Sequence, residues 1–96
     1  MDYKTGNIVF YQGEERTVDA YAASSNPNDL LIITSAEWTL TNSATGEVVD
    51  SGDCEIDGNQ MTVFFGSDVA GYYALEITAR IGRETLKQRC GVTFMA

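Results

Sequence analysis

The sequence predicts an all-β domain, built as a two-sheet antiparallel sandwich of about seven strands. Apolar and polar residues alternate with period two in one segment after another, which sends every second side chain to a single buried sheet face. Gly, Asn and Asp interrupt the alternation at short intervals, as turns do. No stretch carries the i, i+3, i+4, i+7 apolar spacing of an amphipathic helix. The 96 residues suit one domain spanning the whole chain, 1–96. With 44% hydrophobic and 21% charged residues, the chain is neither a disordered tail nor a membrane span. A small closed barrel is the competing architecture.

Residues 7–12 carry Ile8 and Phe10 on one side and stop at Gly13-Glu14. Residues 16–24 put Val18, Ala20 and Ala22 on one face, with Asp19, Tyr21 and Ala23 on the other. Residues 24–29 contain the sole proline, Pro27, and read as a loop. Residues 31–41 direct Ala36, Trp38 and Leu40 inward and Glu37, Thr39 and Thr41 outward. A turn over 42–46 leads into 47–51; Gly52 interrupts, and Cys54 and Ile56 resume an apolar face. The pattern leaves open whether 47–51 and 53–56 form one strand or two.

Asp57-Gly58 is a favoured hairpin pair, since both residues tolerate positive φ. It precedes residues 59–65, where Met61, Val63 and Phe65 alternate with Gln60, Thr62 and Phe64. The last third alternates most clearly. Tyr73, Leu75, Ile77, Ala79 and Ile81 share a face, Gly82-Arg83 turns the chain, and Leu86, Cys90, Val92 and Phe94 line the return strand. Lys87, Arg89 and Thr93 face out, and Gln88 is the one polar residue on the inner side.

The formal net charge is −8, with 14 acids against 6 bases. That field repels phosphate backbones and anionic lipid, so no nucleic-acid partner and no membrane insertion are expected. Histidine is absent, which removes the commonest general base and metal ligand. No enzyme activity and no cofactor are expected. Cys54 and Cys90 lie among apolar neighbours and are expected to be reduced, buried thiols, although the sequence leaves their pairing open. The run from Asp53 to Asn59 places Asp53, Glu55 and Asp57 at relative positions 1, 3 and 5, with Gly58 at 6, echoing a calcium loop. Its twelfth position is Phe64 rather than a bidentate Glu, and strands flank it, so a hairpin with outward acids is expected, with Asp50 the one further ligand a weak Ca²⁺ site would have.

Two features point to contact with other proteins. Five acids and no base lie between Glu47 and Asp57, whereas Arg80, Arg83, Lys87 and Arg89 lie within one ten-residue stretch. Such segregation suits solubility or complementary docking. Tyr21, Phe64 and Tyr72 fall on the outer side of their strands, and clustered outer aromatics mark interface cores.

Asp68-Val69-Ala70-Gly71-Tyr72-Tyr73-Ala74-Leu75 resembles the strand-F signature of immunoglobulin-like domains. The resemblance implies that Tyr73 is the corner tyrosine, that Leu75 stands at the second-cysteine position and Ala22 near the first, and that Trp38 is the core tryptophan. The chain departs from that family at both cysteines and carries one extra residue between Asp68 and Gly71. The wider pattern, from Trp38 through Thr45-Gly46-Glu47 to Gly71-Tyr72-Tyr73, is similar to small immunoglobulin-like modules of bacteriophage tails, baseplates and capsid surfaces. It implies a non-catalytic virion component that docks on other subunits or on its own copies.

The N-terminus carries neither a basic nor an apolar signal region, so a virion or bacterial-cytoplasmic location is expected. The alternative is a carbohydrate-binding or adhesion module excised from a secreted protein, with Tyr21, Trp38 and Tyr72 stacking on sugars.

Overall fold

A computed structural model describes residues 7–22 and 32–96, and the proline-containing loop expected at 24–29 lies outside the described residues. The described residues form eight strands and no helix: β1 (Asn7–Tyr11), β2 (Glu15–Tyr21), β3 (Ser35–Asn42), β4 (Val48–Asp53), β5 (Glu55–Asp57), β6 (Gln60–Gly66), β7 (Gly71–Ile81) and β8 (Glu84–Met95). They make two open sheets, one of five strands in the order β1-β8-β7-β3-β4 and one of three in the order β2-β6-β5.

This topology decides one open point and corrects one expectation. Residues 48–57 form two strands in different sheets, and the division falls at Cys54 rather than at Gly52, which lies inside β4. The chain crosses between the sheets at Cys54, whose N–H still donates to the Ala36 carbonyl at 2.9 Å. The sandwich is also not wholly antiparallel, because β1 runs parallel to β8, with Ile8 opposite Val92 and Phe10 opposite Phe94.

The inward residues are those the alternation selects. Ala36, Trp38, Leu40, Met61, Val63, Phe65, Tyr73, Leu75, Ile77, Val92 and Phe94 are buried between the sheets. At one end Phe10, Phe65, Phe94 and Tyr73 interlock, with Tyr73 edge-on to Phe94 at 5.5 Å between ring centres and Phe10 tilted on Phe65 at 5.7 Å. Such offset and edge contacts add to burial by aligning ring edges with ring faces. Trp38 joins them through Phe65 at 6.0 Å. Gly52 on β4 is opposite Trp38, and a Cβ there would stand 3.0 Å from the indole Nε1, so the indole lies where a side chain would otherwise be.

Two local expectations shift. The β5–β6 hairpin closes with Asp57 opposite Gln60, so its two-residue turn is Gly58-Asn59 rather than Asp57-Gly58. Gly58 alone takes a positive φ, +61°, which fits a turn with glycine in the first central position. Ile56, expected inward, is 38% exposed on β5, a three-residue strand at the edge of the smaller sheet.

Candidate functional site

With the inner faces filled by the core, the outer faces carry the candidate contacts. On the five-stranded sheet, Val9 of β1, Thr93 of β8 and Tyr72 of β7 stand in one cross-strand row. Tyr11 and Met95 form the next row outward. Tyr72 is 72% exposed, and Val9, Tyr11 and Met95 are exposed with it, while Thr93 between them is buried. Among the described residues, the strand register brings these exposed side chains together on one face.

Sequence reading found only Tyr72 of this group. Val9 and Tyr11 alternate with Ile8 and Phe10, so their outward direction was legible. Their position beside Met95 and Tyr72 depends on the parallel β1–β8 pairing, which no local pattern announces.

The expected basic stripe is interleaved with acids. Glu76 on β7 receives Arg89 at 2.6 Å and Lys87 at 3.6 Å, and Arg80 reaches Glu37 of β3 at 3.2 Å. The Arg89 hydrogen bond holds the Glu76 carboxyl below its ordinary range, with the Lys87 charge helping and partial burial opposing. Three of the four cations are thus engaged within their own sheet, and Arg83 occupies the β7–β8 turn. The acids between Glu47 and Asp57 are divided between the two sheets. Asp50 and Asp53 are on β4, and Glu55 and Asp57 are on β5 in the other sheet.

The three outer aromatics do not converge. Phe64, 59% exposed, and Tyr21 belong to the three-stranded sheet, where Phe64 pairs with Thr17 and Tyr21 with Gln60. Tyr72 projects from the opposite outer face, so Phe64 does not share a surface with Arg80, Lys87 and Arg89. Trp38 is buried at 6% exposure and offers no stacking surface.

Asp53, Glu55 and Asp57 do not gather, and among the described residues no three Asp, Glu, His or Cys side chains are grouped to hold a metal ion. A hollow of about 260 Å³ between the β1–β2 turn and the end of β6 does bring Glu14, Glu15, Asp50 and Asp68 to its rim. Glu14 is engaged there by the Tyr11 N–H at 2.8 Å and by Arg16 at 3.0 Å. Both contacts lower its pKa, the Tyr11 bond foremost, which is the reverse of what a general acid needs.

Both cysteines are free. Burial, reinforced by the negative charges of Asp53 and Glu37, pushes the Cys54 thiol up to about 11, and burial raises Cys90 as well. Thiols held protonated in this way are poor nucleophiles. Among the described residues no helix is long and apolar enough to cross a membrane.

No protein-family model matches the chain, and no curated protein does. A solved crystal structure of an engineered protein superposes with a TM-score of 0.68 over 95% of this chain, at 18% sequence identity. The chain spans 18% of that protein's length, and a likeness at this identity shows the fold alone.

Proposed function

We propose that this chain is an immunoglobulin-like β-sandwich that acts by docking rather than by chemistry, as a small structural component of a bacteriophage particle. The fold half of the reading draws on two features. One is the parallel pairing of the first strand with the last, beside an antiparallel β8-β7-β3-β4 series. The other is the Tyr73 hydroxyl, which donates to the Val69 carbonyl at 2.8 Å, the corner-tyrosine contact of immunoglobulin-like domains.

The functional half rests on the apolar group Val9, Tyr11, Tyr72 and Met95. Tyr and Met are enriched in interface cores. The chain's charge of −8 opposes self-association elsewhere on its surface, but the outer face of β3, β7 and β8 carries Arg80, Lys87 and Arg89 against Glu37 and Glu76. This is the face on which a second copy meets least repulsion. The proposed partner is therefore a second copy of this chain within a larger assembly.

Carbohydrate binding is the weaker reading, since Trp38 is buried and Tyr21 and Tyr72 point from opposite faces. Catalysis is weaker still, with both thiols held protonated and Glu14 held ionised.

Size-exclusion chromatography with light scattering tests the docking reading. The expected result is a mass above the 10.5 kDa monomer that returns to monomer in Tyr72→Ser. A monomer at every concentration in the unaltered protein would overturn it.

A further inference from the structure

β1 and β4 are the edges of the larger sheet, and on each strand a carboxylate accepts a backbone N–H. On β4 the Ser51 N–H donates to Asp50 Oδ1 at 2.8 Å, and the β3–β4 register slips between Leu40 and Thr41. On β1 the Tyr11 N–H donates to Glu14 Oε1 at 2.8 Å, and the Glu14 N–H donates to the Tyr11 carbonyl at 3.1 Å. Arg16 steadies the other oxygen of that carboxylate at 3.0 Å. An open strand edge is a template for a further strand, and charges or bulges placed on it block the addition.

The Gln12 N–H donates to the Met95 carbonyl of β8 at 2.7 Å. By alternation the N–H and carbonyl of Tyr11 and of Val9 point the other way, off the sheet. Glu14 occupies both groups of Tyr11, which leaves Val9 to face a newcomer.

Charge decides which newcomer fits. β4 carries Asp50 and Asp53, β5 carries Glu55 and Asp57, and β2 carries Glu15 and Asp19 beside Arg16. β1, Asn7–Tyr11, holds no charged residue. In a chain of net charge −8, it is the one edge strand of the described residues that brings no carboxylate of its own to a second copy. Antiparallel pairing centred on Val9 sets Val9 against its counterpart and Asn7 against the second copy's Tyr11. Every side chain then keeps its own face, and two five-stranded sheets become continuous.

We propose that Glu14 is a stopper on the β1 edge, and that without it two copies of this chain join β1 to β1 about Val9. This backbone edge acts apart from the Tyr72 face, and a Tyr72→Ser parent lets either one fail alone.

The test compares that parent with Tyr72→Ser/Glu14→Ala by size-exclusion chromatography with light scattering. Glu14→Ala is expected to double the mass of its parent. Glu14→Gln, which keeps an acceptor for the Tyr11 N–H, is expected to leave it unchanged. Amide exchange at Val9 should slow about tenfold or more in the paired form. Adding Val9→Pro removes the outward donor, spares the bonds to β8 and is expected to restore the parent's mass. Val9→Lys, which sets like charges opposite one another, does the same should the proline variant fail to fold. An unchanged mass in Glu14→Ala at every concentration would overturn the proposal. So would a doubled mass with exchange at Val9 unaltered, or one that survives both Val9 variants.

Discussion

The Tyr73 hydroxyl donates a 2.8 Å hydrogen bond to the carbonyl oxygen of Val69, four residues earlier, and so ties the start of β7 to the loop that leads into it. Ser67 completes the corner, its Oγ accepting from the Val69 N–H at 3.1 Å and standing 3.3 Å from the Tyr73 oxygen. The ring below is buried edge-on against Phe94. One side chain therefore fastens the loop and fills the core.

Tyr73→Phe keeps the ring and removes the tie. It is expected to cost about 1 kcal/mol, at the low end for a buried hydrogen bond, because Ser67 Oγ lies 3.0 Å from the same carbonyl and can replace the donor. Thermal denaturation should show the midpoint lowered by roughly 4–8 °C, with an unchanged far-ultraviolet spectrum.

Gly52→Ala sets a methyl group 3.0 Å from Trp38 Nε1 and forces either the indole or β4 to move. The expected loss is about 1–3 kcal/mol, typical of overpacking. Trp38 emission should shift to the red as the ring gains solvent. An unshifted spectrum with unchanged stability would mean that β4 yields freely.

The ion pair between Glu76 and Arg89 gives the stability a pH signature. The folded Glu76 carboxyl lies below its ordinary value of 4.5, so its contribution is complete above that value and is lost as pH falls through the lowered one. Glu76→Gln should therefore be less stable than the unaltered protein by about 0.5–1 kcal/mol at neutral pH. That gap should close in acid, as followed by urea denaturation at a series of pH values, and narrow in high salt.

Cys54 and Cys90 should react slowly with a thiol reagent at pH 8 in the folded protein, since burial keeps both protonated. Unfolding in guanidinium should release two thiols at the rate of model cysteine. Rapid reaction of Cys54 in the native state would contradict its placement at the crossing between the sheets.

Side-chain directions were the most legible part of the sequence. Period-two alternation placed Trp38, Leu40, Met61, Val63, Phe65, Leu75 and Phe94 inside and Phe64 and Tyr72 outside, because a strand has only two faces to choose between. The division at Cys54 was not legible, since acids at 53, 55 and 57 keep the same alternation whether the chain stays in one sheet or changes sheet. The turn slipped by one residue because Asp-Gly and Gly-Asn overlap in Asp57-Gly58-Asn59, and only the pairing of Asp57 with Gln60 decides between them.

The candidate site was half legible. Exposure of Tyr72 follows from β7 alone. Its company of Val9, Tyr11 and Met95 follows from a pairing between the two ends of the chain, and the neutralisation of Arg89 and Lys87 follows from register with Glu76 and its neighbours. Local pattern carries strand faces; it does not carry which strands lie side by side.

Hydroxyl-radical footprinting at low and high protein concentration tests most directly whether the outer face of the larger sheet is where this chain docks. Protection of Tyr11, Tyr72 and Met95 on assembly, with Tyr21 and Phe64 still oxidised, is the predicted result. Oxidation that stays uniform at every concentration, or protection centred on Phe64 and Tyr21, would contradict it.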